Sequence, residues 1–271
     1  AIYKDVVGFD PATHQLQIDF YGGQIYKDTK YALANSVKLI DTPGEYALVL
    51  EPEDDGTHKL FLWPPDGKPE NLSRGEHGLG IGIRGSHVTV RGFWIRKQGW
   101  AGSTGIDGRG RASDVTIRDC KVTHLRGHNA GIHTTQIDYL LVDNCEVADN
   151  AGHTKGILLR NAHHVVIRRC TVRKNSSTAI DYYTVDQGVV QDCLVTENTG
   201  MHANGITFYV GCKNILVERN VVREGNVGMT LHTGENMIIR NNIIEGGRGG
   251  APAVGLWAGP PYHNIVITNN I

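Results

Sequence analysis

Several residues suited to proton transfer or anion binding recur along this chain with a period of roughly 25 residues. His133, Arg160 and the pair Asp181 and Tyr183 occupy matching places in successive repeats, with Asp107 and Arg109 one repeat earlier. Thr207 and Tyr209, then Thr230 and His232, then Trp257, continue the file. A second polar file lies just upstream: His128 with Asn129, His153 with Lys155, and His202 with Asn204. This set suits β-elimination from an acidic sugar. That reaction needs a base for the proton beside the carboxylate, a cation to neutralise the carboxylate, and an acid for the leaving oxygen. His133 fits the base, Arg160 or Lys155 the carboxylate clamp, and Tyr183 the acid. Asp181 stands beside Tyr183 in the same group. Asp107, Arg109, His128, His153, Lys155, His202, Tyr209, His232 and Trp257 fall where substrate contacts would be. Taken singly, any of the histidines serves equally well as a cap that bonds local backbone.

Hydrolysis is the alternative. It needs two carboxyls about 6.5–9.5 Å apart for inversion or about 5 Å apart for retention. Asp107 and Asp181 are three repeats apart, about 14 Å at the spacing of parallel strands, so a partner such as Asp186 or Glu235 would have to fold back from a turn. The carboxylates do not cluster as a calcium site requires. Neither a metal nor an organic cofactor is expected.

The elements that carry these residues follow from the repeat. Gly131-Ile132-His133 with Leu140-Leu141-Val142-Asp143-Asn144-Cys145 returns as Gly156-Ile157-Leu158 with Val165-Val166-Ile167-Arg168-Arg169-Cys170. It returns again as Gly205-Ile206-Thr207 with Ile215-Leu216-Val217-Glu218-Arg219-Asn220. Each repeat holds three short apolar runs with strand alternation, divided by turn residues. One inward column is Val90, Ile117, Val142, Ile167, Val190, Val217, Ile239 and Ile267. Three residues later stand Phe93, Cys120, Cys145, Cys170, Cys193, Asn220, Asn242 and Asn270. This cysteine file, which becomes an asparagine file, reads as reduced core, with the asparagines placed to occupy a left-handed corner and bond along the stack. Alternation points the chemical residues outward on the strand that opens each repeat.

This pattern resembles the right-handed parallel β-helix superfamily, the pectate-lyase-like proteins. The resemblance implies an all-β solenoid in which three strands make a coil. It also implies that the outward face of the opening strands is the floor of a sugar-binding groove. The N-terminal Pro43-Gly44-Glu45-Tyr46 with Leu60-Phe61-Leu62-Trp63-Pro64-Pro65 is similar to a segment that precedes the β-helix in several glycoside-hydrolase-like proteins. Residues 1–77 are expected to form a small antiparallel β segment and cap, with strands at Gln15–Phe20, Ala47–Leu50 and Lys59–Pro65, and residues 78–271 the β-helix.

The formal charge of −1 argues against nucleic acid as a partner, and the apolar runs are too short to span a membrane. The expected partner is a polysaccharide in a secreted or periplasmic setting. A third reading is a non-catalytic glycan-binding or stacking coil. Ile265, Ile267 and Ile271 follow the core pattern with no successor coil in this sequence. End-to-end self-association or a continuation of the chain is therefore expected.

Overall fold

A computed structural model describes residues 6–12, 15–18, 46–50, 58–62, 77–99, 102–200, 202–247, 250–257 and 262–271. The chain forms two units, Ala1–Leu72 and Ser73–Ile271.

The first unit contains two antiparallel pairs. Val6–Asp10 pairs with Gln15–Ile18, and the Asp10 carboxylate accepts from the Ala12 amide at 2.9 Å in the connecting turn. Tyr46–Leu50 pairs with His58–Leu62. The first strand of this set, Val6–Asp10, was not expected from the sequence. The turn at 41–45 and the residues 63–65 lie outside the described residues.

The second unit is a parallel β-helix. Its opening strands stack in the order of the chain, from Leu79–Ile83 through the strands that begin at Thr104, Ala130, Lys155, Ile180, Ile206 and Met229, to Val254–Leu256. These are numbered here as coils one to eight. A second strand follows a bend in each coil, and a third set, from Trp94–Arg96 to Ile243–Ile244, makes a separate seven-stranded sheet. The expected inward column is in register throughout, from Val90 opposite Ile117 to Ile239 opposite Ile267. Its members are buried except the last, Ile267.

The opening phrase Gly-Ile has a packing cause. A Cβ on Gly156 would collide with Val172 of the third strand and with the carbonyl of Ala179 in the next coil. Glycine lets the coil close on itself at this point.

The four cysteines of the file are buried free thiols, and so is Cys212, which lies outside it. Cys170 donates to the Arg168 carbonyl at 3.2 Å, and Cys193 does the same to Gln191. The asparagines continue the file: Asn242 Oδ1 accepts from both the amide and Nδ2 of Asn220, each at 2.9 Å. The left-handed corner falls one residue earlier than expected, at Asp119, Asn144, Arg169, Asp192, Arg219, Asn241 and Asn269. The stacked asparagine side chains therefore have to point inward, and the residue before each of them makes the bend. A second buried asparagine file, Asn150, Asn175 and Asn198, lines another corner, with Asn150 donating to Asn175 at 2.8 Å and Asn175 to Asn198 at 3.0 Å.

Candidate functional site

The parallel register brings the file together as the alternation requires. Asp107, His133, Leu158, Asp181, Thr207 and Thr230 are consecutive partners across coils two to seven. Two residues further along each strand, Arg109, Thr135, Arg160 and Tyr183 are likewise partners. His133 and Arg160 are therefore one coil apart, and Arg160 is one coil from Tyr183.

The outward direction of the first of these rows does not make it open to solvent. Asp107, Leu158, Asp181, Thr207 and Thr230 are all buried. Their Cβ atoms point out of the coil, but longer side chains from neighbouring columns fold across them. Arg84 reaches over Asp107, donating to its carboxylate and to its carbonyl, both at 2.9 Å. Arg109 Nε donates to the other carboxylate oxygen at 2.8 Å. Lys155 closes over Asp181 in an ion pair. Lys155 is thus committed to a protein carboxylate, unlike the clamp role considered for it from sequence. Arg84 was missed in the sequence reading, although the pairing of Gly82 with Asp107 and Ile83 with Gly108 puts it level with Arg109 at the head of the second row.

His133 is the most chemically distinct group. Its side chain is 12 % exposed, with Nδ1 3.8 Å from Asp107 Oδ1 and Nε2 3.2 Å from the Thr135 hydroxyl. Nδ1 is buried without a hydrogen-bond partner. The nearby carboxylate favours a proton on Nδ1, which leaves Nε2 as the basic nitrogen and Thr135 as its donor. Burial pushes the imidazole down to about 4; Asp107 opposes this, while Arg109, Arg160 and Lys155 reinforce it. The ring is therefore neutral at pH 7.

Asp181 is fully buried, and its Oδ1 has no partner. Burial raises its carboxyl above the usual range, against the pull of Lys155 and Arg160. Asp186, considered as a second carboxyl for hydrolysis, is engaged elsewhere: it accepts from Asn214 at 2.6 Å and pairs with Lys213 at 3.5 Å. Glu235 is exposed on the strand Gly234–Arg240, beyond the bend from the file.

The aromatic residues meet one another rather than standing separately. Tyr183 and Tyr209 stack at 4.3 Å, Tyr209 and His232 at 4.1 Å, and His232 and Trp257 at 6.2 Å. Arg160 caps the stack, 4.7 Å from the Tyr183 ring. The flat faces of these rings are therefore largely covered by one another. Identical spacing in successive coils forces this, since ring thickness nearly matches strand spacing. Burial, followed by the neighbouring Asp181 and Tyr209, raises the Tyr183 phenol well above its ordinary range.

The upstream histidines form a looser rail. His128, His153 and His202 are exposed, and the rings of His128 and His153 are 6.4 Å apart. Partial burial, with His128, Lys155 and His202 nearby, lowers His153. Among the described residues no group of three or more His, Cys, Asp or Glu is gathered to hold a metal ion. A shallow apolar depression at Leu141, Val166 and Val189 lies on the second strands, apart from these groups.

A family model described as "Right handed beta helix region" matches residues 71–222. No curated protein matches the chain in sequence. Among solved structures, the periplasmic alginate epimerase AlgG superposes with a TM-score of 0.61 at 16% identity, over 71% of this chain and 47% of that one. A variant of DFA-IIIase from Arthrobacter chlorophenolicus A6 in complex with DFA-III has a TM-score of 0.49 at 18% identity, over 58% of this chain and 38% of that one. Pectate lyase Pel9A has a TM-score of 0.43 at 14% identity, over 70% of this chain and 54% of that one. The chain spans about half the length of the alginate epimerase chain it matches, and at 16% identity that likeness is one of fold.

Proposed function

The chain belongs to the right-handed β-helix family, and from that premise we propose that it cleaves glycosidic bonds in an acidic polysaccharide by β-elimination over His133 and Arg160. The observation that carries this reading is a mostly buried imidazole one coil from a guanidinium, with burial holding that imidazole below its ordinary range. Arg160 holds the uronate carboxylate and stabilises the negative charge that grows on it as the adjacent proton leaves. Nε2 of His133 takes that C5 proton. The electrons of the broken C5–H bond form a C4=C5 double bond, the C4–O4 bond breaks, and Tyr183 gives its proton to the leaving oxygen. The low basicity of His133 is a cost, and a bound anionic sugar reduces it by favouring the imidazolium. Lys155 and Asp181 form the wall beside this centre. Such a substrate implies a secreted or periplasmic setting. Among the described residues no helix is long and apolar enough to cross a membrane.

The test is incubation with a panel of acidic and neutral polysaccharides. Ultraviolet absorbance of the new double bond should accompany the appearance of reducing ends. Arg160→Ala should lose activity by about 100-fold or more while melting unchanged, since Arg160 is exposed. Saturated products, abolished by Asp181→Asn, would replace elimination with hydrolysis using the raised carboxyl of Asp181. Deuterium entering C5 from heavy water without cleavage would indicate that the proton is returned and the sugar epimerised.

A further inference from the structure

The groove changes character along its length. Over coils one to five its side chains are ionic: Arg84 and Arg109 meet Asp107, Lys155 meets Asp181, and Arg160 follows. Four cations face two buried carboxylates, so this part carries excess positive charge. From the sixth coil on, the opening strands Ile206–Phe208, Met229–Leu231 and Val254–Leu256, each with the residue that follows it, contain no Lys, Arg, Asp or Glu.

What replaces charge there is a set of neutral groups that both donate and accept, or only donate. Tyr209 and His232 are half-buried, with their faces stacked, and Trp257 is 51 % exposed at the end of the stack. Beneath them, the Thr207 and Thr230 hydroxyls bond each other at 2.7 Å. Both lie within 3.5 Å of the half-buried Asn204 amide nitrogen, at 3.5 and 3.4 Å. Burial, and then His202, lowers the His232 imidazole, so it too is uncharged at neutral pH. Phenol, imidazole, indole N–H and carboxamide match the hydroxyls of an uncharged sugar, whereas a carboxylate would meet no Lys or Arg among the described residues of these strands.

We propose that the substrate is a heteropolysaccharide in which uronates are separated by uncharged sugars. Its uronate lies over coils two to five, and its neutral sugars lie along Asn204, Tyr209, His232 and Trp257. This rests on the acidic-polysaccharide reading above and adds the composition of the polymer. A homopolyuronate would have to lay repeated carboxylates along opening strands that, among the described residues, hold no Lys or Arg to receive them.

Binding and turnover are measured separately on the full chain. The probes are polygalacturonate and alginate, as homopolyuronates, and gellan and hyaluronan, in which uncharged sugars separate the uronates. The expected result is an affinity about tenfold higher for a mixed polymer. Trp257→Ala and His232→Ala should each remove most of that preference, lowering affinity for the mixed polymers more than for the homopolyuronates. Arg109→Ala should weaken both classes. Equal or tighter binding of the homopolyuronates would overturn the inference, as would variants that weaken both classes alike, or no binding to any of the four. Preferential binding of a mixed polymer with no chemistry on it would uphold the inference and sink the proposed elimination. Turnover of homopolyuronates alone would do the reverse.

Discussion

His133 links geometry to pH at the level of a single residue. Its ordinary value of 6.5 falls to about 4 in the folded chain. A base whose folded value is depressed is destabilising once it must charge. The contribution to stability is complete above pH 6.5, is lost progressively as pH falls towards 4, and is constant below that. Thermal unfolding of the native chain should therefore weaken across this window more steeply than that of His133→Gln. Parallel curves would mean that the ring is solvated and not buried. Under the proposed elimination, the same value sets the acid limb of kcat/KM near pH 4. A limb near 6.5 would remove His133, as positioned here, from proton abstraction.

Among the elements, the two kinds of corner file differ in what they protect. The cysteines donate to carbonyls already used in strand pairing, so Cys145→Ala removes a small packed group and should cost about 1 kcal/mol. Asn175 is a link in a chain of bonds. Its Oδ1 accepts from Asn150, and its Nδ2 donates to the Val147 carbonyl at 3.1 Å and to Asn198. Asn175→Ala removes the acceptor of Asn150 Nδ2 and the donor to the Val147 carbonyl, while Asn198 Oδ1 keeps the backbone amide of residue 175 as its donor; it should cost about 2 kcal/mol. Denaturant unfolding of the two variants gives the comparison, and equal losses would show that water replaces the missing amide.

For the molecule as a whole, stability should vary along the stack, because each coil contacts only its neighbours. The strands of coils three to five, from Ala130 to Gln191, are paired on both sides and carry both corner files. Tyr262–Thr268 is mostly exposed, and Leu79–Ile83 has a single buried residue. Amide exchange followed by mass spectrometry should be slowest in the middle coils and faster by orders of magnitude at these two strands. Uniform protection would instead show that unit two opens all at once.

The repeat, the inward columns, the cysteine-to-asparagine file and the outward direction of His133, Arg160 and Tyr183 are legible in the sequence. Each follows from a period of two within a strand and a fixed register between coils. The second asparagine file was also open to reading: Asn150, Asn175 and Asn198 recur three residues after Val147, Val172 and Val195. The cover over the outward row was not legible. Alternation fixes where a Cβ points, but it does not say that Arg84, Arg109 and Lys155 will fold over Asp107 and Asp181. Nor does it say that four rings one strand spacing apart will stack on each other. Those outcomes depend on the reach of long side chains between columns, a distance set only when the coils are stacked. The same stacking turns His133 from one of many polar residues into a mostly buried imidazole one coil from a guanidinium, because burial and neighbouring charge, not residue type, decide its protonation.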